Sequence, residues 1–362
     1  MDQKQEAKFK KGRGAQLEAG NRFESRQYYS DPEYREHLYQ SNEGAAENEA
    51  TSYQKIYPKS ILNRVNSPDV GHNWSMNPYQ GCEHGCAYCY ARNSHEYWGY
   101  NASTDFEQKI LVKENAAALL EQALQKKSWQ PEPIMLSGNT DCYQPIEREL
   151  RITRSLLEVC LEYRQPVGII TKNALIARDE DIIGEMAEKE LVHAAFSITT
   201  LDEKLRLKLE PRTASAKKKL MVMKRFADLN IPVSVMIAPV IPGLNSHEVF
   251  DIARAAAESG ALKAGYTMAR LNGLISEIFL DWLDHHYPEQ AEKVASLIKQ
   301  THGGRLNDSD FGRRMRGEGA VAQQVKNMML LARKRFFKGR KVPEYNTQDF
   351  VRAPRGQMSL FK

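Results

Sequence analysis

The sequence has no apolar run long enough to cross a bilayer: its longest strongly apolar stretch, 233–241, falls far short of the ~20 residues a spanning helix needs. Its first residues, Met-Asp-Gln-Lys-Gln-Glu, lack the apolar core of a secretion signal. Both absences set the expectation of a cytoplasmic protein without a membrane partner. Cysteine is scarce as well, five in 362 residues, and three of them crowd into eight positions. Thiols so few and so unevenly placed exclude a disulfide framework, and in a reducing compartment they point to metal or catalytic chemistry. Net charge is small at +5, so the mean charge selects no class of partner.

What is present suits one large core with appended segments: 41% of the chain is hydrophobic and 27% charged. Residues 1–58 are rich in Glu, Gln, Asn, Ser, Lys and Arg and poor in aliphatic periodicity, which predicts a disordered polar tail. Its basic start, Lys8, Lys10, Lys11 and Arg13 with Gly12 and Gly14 between, reads chiefly as solvated chain. Beyond it, strand-length apolar runs alternate with amphipathic stretches: 134–136 then 150–163, 167–170 then 176–189, 194–198 then 216–229, 233–238 then 246–259, and last 266–271. With a first strand at 74–76, this makes about six βα units, fewer than the eight of a closed barrel. The expected fold is α/β, a partial (β/α)6 TIM-like barrel over 59–272, with chemistry at the carboxyl ends of its strands. Helices at 277–300 and 320–337 predict a helical basic extension over 273–345, leaving 346–362 as a flexible tail.

The crowded cysteines stand in Asn77-Pro78-Tyr79-Gln80-Gly81-Cys82-Glu83-His84-Gly85-Cys86-Ala87-Tyr88-Cys89, at the end of the first expected strand. Three thiolates serve three irons of a [4Fe-4S] cube and leave the fourth iron open, which makes a reactive site. Gly81 and Gly85 suit a loop that must wrap tightly around an inorganic core. A structural zinc site completed by His84 or His95, in a non-enzymatic interaction module, is the alternative; the second ligand pair usual for such sites is missing here.

The spacing Cys82-x3-Cys86-x2-Cys89, with Tyr88 just before the last cysteine, resembles the signature of the radical S-adenosylmethionine (SAM) superfamily. The longer strings 77–82 and Thr140-Asp141-Cys142-Tyr143-Gln144-Pro145-Ile146-Glu147 are similar to a bacterial branch labelled DNA-repair-photolyase-like, related to spore photoproduct lyase. The resemblance covers roughly residues 77–331. It implies a cluster on Cys82, Cys86 and Cys89, SAM chelating the open iron, and a one-electron reductant such as a flavodoxin or ferredoxin. It also implies SAM contacts from Asn139 and Thr140, from Lys172 toward the SAM carboxylate, from Ser197 and Thr199, and from Tyr88 toward the adenine. Spore photoproduct lyase uses a strand-end cysteine as a hydrogen donor; aligned on Asp141, its place here is taken by Gly138, and Cys142 is the neighbouring thiol that could supply the hydrogen instead. Cys160 is expected to be packing.

From Arg305 to Lys341 eleven Lys or Arg stand against three acids, with Phe311, Phe336 and Phe337 interleaved. Arg313, Arg314 and Arg316 gather beside the Gly317-Glu318-Gly319 turn. This pattern predicts DNA or RNA as a partner through phosphate contacts and stacking, with repair or base modification as the outcome. A protein or metabolite substrate is the alternative, the basic segment then serving solubility.

Overall fold

Apolar strands bounded by helices can bury both faces only if the strands run parallel and the helices cover the outside. The computed structural model, which describes residues 10, 12–17, 20–23 and 51–352, has this arrangement. Ten strands are described: β1 (Ser52–Ile56), β2 (Leu62–Arg64), β3 (Trp74–Met76), β4 (Tyr79–Gln80), β5 (Lys109–Lys113), β6 (Ile134–Leu136), β7 (Val167–Thr171), β8 (Val192–Ser197), β9 (Val233–Val240) and β10 (Lys263–Met268). The main sheet has seven of them in the order β10-β9-β8-β7-β6-β3-β2. All neighbours from β3 to β10 are parallel, with Trp74 opposite Ile134, Ile134 opposite Val167 and Val167 opposite Val192. The edge strand β2 is antiparallel to β3. Six parallel strands in an open sheet are the partial barrel expected from the periodicity.

Its core joins Met76, Leu136, Ile169, Phe196, Val235 and Ile237 of the strands to Leu156, Ile183, Met223 and Ile252 of the helices outside. A second core lies beneath the cysteine loop. There Cys86, Ala87 and Tyr88 pack with Leu209, Ile241 and Leu271 and with Ile275, Phe279 and Trp282 of the helix Ile275–His286. Trp282 is fully buried and its indole N–H donates to the Lys208 carbonyl at 2.9 Å. The C-terminal helices therefore help to shape the loop.

Several expectations are corrected. The polar tail does not run to residue 58, because β1 pairs in parallel with β5 in a separate sheet of order β1-β5-β4. Its side chains are nearly all exposed, so the pairing is made by backbone groups and leaves no hydrophobic alternation to read. The helix expected at 277–300 is two, Ile275–His286 and Pro288–Thr301, because Pro288 can open a helix but not continue one. Residues 346–352 pack on the barrel: Asn346 N–H donates to Glu190 O at 3.0 Å and Val351 N–H to Tyr163 O at 2.9 Å. Just before them, Tyr345 stacks on His193 of β8 with ring centroids 3.9 Å apart. Residues 1–9, 11, 18–19, 24–50 and 353–362, and with them most of the expected N-terminal tail, lie outside the described residues.

Trp282→Ala should destabilise the chain by about 3–5 kcal/mol through the cavity it leaves, read as a lowered urea midpoint.

Candidate functional site

The first parallel strand, β3, ends at Met76, and the chain turns into the cysteine loop through Asn77. The Asn77 side-chain oxygen accepts the N–H groups of Asn139 (2.9 Å) and Thr140 (3.2 Å), tying the loop's entry to the segment after β6. Gly81 and Gly85 have φ of +80° and +66°, the left-handed region that side chains seldom adopt. All five cysteines are free; Cys82 and Cys86 are buried and Cys89 half-buried. Burial raises the pKa of all three loop thiols. Backbone N–H groups of Asp141 and His84 act the other way on Cys82, and those of Ala91 and Arg92 on Cys89. Three sulfurs on one loop, two buried and one half-buried, two of them facing amide donors, fit a cationic iron–sulfur core, which offsets the cost of burying thiolates.

Among the described residues no three His, Cys, Asp or Glu side chains gather tightly enough to share a single metal ion. Thiols that each cap a different corner of a cube stand farther apart than thiols on one ion. Of the two histidines weighed as a fourth ligand, His84 is engaged by polar neighbours, while the buried His95 has aromatic neighbours and no hydrogen-bond partner for its ring nitrogens among the described residues. His84 lies between Asp141 (3.5 Å) and Asn173 (3.2 Å), and His95 stacks on Tyr100 with centroids 5.1 Å apart and meets Phe106 edge-on.

Across the loop lies a buried polar knot that brings together three of the sequence candidates, Tyr88, Lys172 and Thr199. Lys172, after β7, reaches Glu210 (3.0 Å), the Thr199 hydroxyl (3.2 Å) and Ala238 O (3.1 Å). The Thr199 hydroxyl donates to Glu210 at 2.6 Å, and Tyr88 donates to the same carboxylate. The Lys172 ammonium also stands 5.5 Å from the Tyr88 ring centroid. Burial would raise the Glu210 carboxyl, but Lys172, Lys219 and the hydroxyl donors outweigh it and hold the pKa at about 2. Glu210 and Lys219 escaped the sequence reading: Leu209-Glu210-Pro211 and the run Lys217-Lys218-Lys219 look like a solvated helix end and a solvated face. Ser197 is buried beside them, and its carbonyl takes the Lys219 ammonium at 2.9 Å.

Asn139 and Thr140 sit on the other side of the loop. The Asn139 amide donates to Gln80 (3.0 Å) and Ser94 (3.1 Å), while Thr140 is buried and gives its hydroxyl hydrogen to Tyr79 O at 2.9 Å. Asp141, passed over as a ligand candidate, joins three segments by accepting from the Thr171 hydroxyl and the Lys172 N–H, both at 2.7 Å, and by facing His84. Cys142 is fully buried, belongs to the main core and follows a turn whose Ser137 hydroxyl accepts its N–H at 2.7 Å. At Gly138 a Cβ would stand 2.9 Å from that of Ser75, so a side chain there would require a shift. Cys160 is packing, as expected.

Much of the basic C-terminal segment is spent internally. Arg313 pairs with Asp308 (2.6 Å) and Asp310 (2.8 Å), and Arg314 with Asp69 (2.5 Å). Arg316 donates to Tyr266 O, Arg333 to Ala264 O and Arg340 to Ala257 O and Ala261 O. Arg305, Lys326, Lys334, Lys338 and Lys341 remain exposed. Arg270, half-buried just after β10, has no hydrogen-bond or ion-pair partner among the described residues.

Comparison with known proteins agrees with this architecture. Residues 76–256 match the model of the Radical SAM superfamily. An uncharacterized protein of Mycobacterium tuberculosis is 31% identical over 252 residues, 69% of this chain and 74% of the relative. An uncharacterized protein of Methanocaldococcus jannaschii is 28% identical over 67% of this chain and 86% of its own length. In fold, the chain is similar to spore photoproduct lyase complexed with dinucleoside spore photoproduct, at TM-score 0.57 and 14% identity over 79% of this chain and 80% of that one. A variant of that lyase with bound AdoMet gives TM-score 0.56 at 14% identity, covering 81% and 82%.

Lys172→Met should cost about 3–5 kcal/mol, because it strips the principal counter-charge from a buried carboxylate. Glu210 also predicts a pH dependence. Its folded pKa lies below the ordinary 4.5, so its contribution is complete above pH 4.5 and is lost as pH falls toward about 2. The urea midpoint of the metal-free chain should drop across that window, and less steeply in Glu210→Gln.

Proposed function

Because this chain belongs to the radical SAM superfamily, we propose that it is an enzyme whose [4Fe-4S] cluster is held by Cys82, Cys86 and Cys89. The observation that carries the reading is the place of these thiols: one buried loop leaving the carboxyl end of β3, facing the ends of five further parallel strands. The cluster, when bound with SAM, would supply the electron that breaks SAM reductively into methionine and a 5′-deoxyadenosyl radical able to take hydrogen from a substrate.

The chain's own residues supply position and charge. Lys172 is the cation closest in role to a carboxylate anchor. Its present partners, Glu210 and Thr199, orient it, and the Tyr88 ring lies beside it. Asn139 is half-buried with its amide on Ser94 and Gln80, and Ser197 is buried at the end of β8, two residues before Thr199. Thr140, its hydroxyl committed to the loop backbone, acts by fixing the loop. The buried network around Asp141 and Glu210 keeps the segments after β6, β7 and β8 in register with the loop.

For the substrate we favour nucleic acid, acted on by repair or base modification, over a protein or metabolite. The support is chemical. Arg270, a guanidinium at the strand-end side of the barrel with no hydrogen bond or ion pair among the described residues, is suited to a phosphate oxygen, and Phe311, 55% exposed, stands under Arg314 at 4.3 Å as a stacking surface. The remaining exposed cations of 305–341 would follow a phosphate backbone. A lyase of the same fold solved with a dinucleoside makes this the first class to test.

Anaerobic reconstitution with iron, sulfide, SAM and a reductant should release 5′-deoxyadenosine, and Cys86→Ala should lose the brown cluster absorbance while retaining helical circular dichroism. A parental chain that yields none, or a Cys86→Ala chain that keeps the chromophore, contradicts the assignment. Binding of single-stranded DNA or RNA should weaken steeply with salt and weaken further in Arg270→Ala. Binding that salt does not change would instead favour a protein or metabolite substrate.

A further inference from the structure

Outside the segment matched to the superfamily, residues 12–17 cross the back of the cysteine loop in direct backbone contact. Gly14 is buried there, and a Cβ on it would stand 1.7 Å from Gly85 O and 2.8 Å from Gly85 C. Such an approach is open to glycine alone. The opposing residue, Gly85, is itself left-handed, and a Cβ there would meet the Glu107 carboxylate at 2.8 Å. Two glycines and one carboxylate thus interlock between Cys82 and Cys86.

Glu107, fully buried, is the fastener. Its oxygens accept the N–H of Gly14 (3.1 Å) and of Ala15 (2.9 Å), and the same carboxylate pairs with Arg92. Arg92, also fully buried, donates to Cys86 O at 3.0 Å and to Ser103 O at 2.8 Å. Arg13 closes the ring by donating to Glu107 O (2.9 Å) and to Thr51 just before β1 (3.0 Å). Farther along, Asn21 donates to Glu96 O (3.0 Å) and Tyr100 O (3.1 Å), and Arg22 pairs with the Glu96 carboxylate at 3.0 Å. The N-terminal segment therefore follows the outer side of the loop and of the helix Tyr90–Trp98 after it.

We propose that this segment is a strap belonging to the cluster cradle. Gly14 and the positioning residue Glu107 hold the Cys82–Cys89 loop in its ligand-presenting shape, and the strap sets how long the cluster is retained. On its outer side the loop is held by the strap through Glu107 and by Arg92 on the Cys86 carbonyl. A cluster whose ligand loop cannot open loses iron slowly, since each thiolate is returned to its iron before solvent or chelator replaces it. The proposal rests on the reading that these cysteines carry the cluster.

The test compares the parental chain with Gly14→Val and Glu107→Gln in the full-length protein. Val intrudes on Gly85; Gln keeps the shape of Glu107 but presents an N–H group to existing donors. After anaerobic reconstitution, cluster absorbance is followed in excess chelator, with loss about tenfold faster expected in both variants. The electron paramagnetic resonance signal of the reduced cluster should become heterogeneous. The urea midpoint reports whether the barrel is intact, and a general loss of stability would move it without singling out the cluster. Independently of metal, hydrogen exchange at the Cys82, Ala87 and Cys89 amides of the metal-free chain should quicken in the variants. Unchanged exchange together with parental rates of cluster loss would overturn the proposal. A parental chain that takes up no iron would instead defeat the cysteine assignment and the retention role, and exchange alone would then decide whether the strap latches the loop.

Discussion

Buried carboxylates hold the cysteine loop in place, and the rest of the site depends on that. An ionised carboxylate inside a protein is costly unless its lone pairs are filled by donors. Here donors come from segments other than the acid's own. Glu107 takes donors from the N-terminal strap and from Arg92, and Asp141 takes them from the end of β7. Glu83, inside the loop, accepts the Ile146 N–H at 2.7 Å and the Tyr53 hydroxyl at 2.9 Å. Glu210 gathers Tyr88, Lys172 and Thr199. Meeting the hydrogen-bond demand of these acids brings the loop, three strand ends and β1 to one place.

The loop is equally a part of the apolar packing. Ala87 and Tyr88 share a core with Trp282 and Phe279 of a helix that follows the barrel. Ala87 N–H donates to Leu209 O at 3.1 Å, in the same turn that delivers Glu210. Polar and apolar fastening thus converge on the few residues between Cys86 and Cys89. The geometry required of three sulfurs is consequently a property of the whole chain, including parts outside the superfamily match.

The basic C-terminal segment shows how charge counted along a chain differs from charge available to a partner. Arg316, Arg333 and Arg340 cap strand and helix carbonyls, and Arg313 and Arg314 are matched by aspartates, one of them Asp69, far away in sequence. Arg270, which no charge run singled out, makes no hydrogen bond or ion pair among the described residues. Burial and pairing, not composition, decide which cations can meet an anion.

The alternation of apolar runs and amphipathic stretches by itself determined six parallel strands with helices outside, because periodicity reports which faces must be buried. The spacing of Cys82, Cys86 and Cys89 likewise announced the family, since three cysteines on one short loop are a local feature. Only the tertiary structure decided the rest. It put Cys142 in the core, turned Glu210 inward onto Lys172, paired the exposed β1 with β5, and laid Gly14 across Gly85. These are contacts between residues far apart in sequence, made through backbone groups or single polar side chains that leave no repeating pattern, so they exist only once the chain has closed on itself.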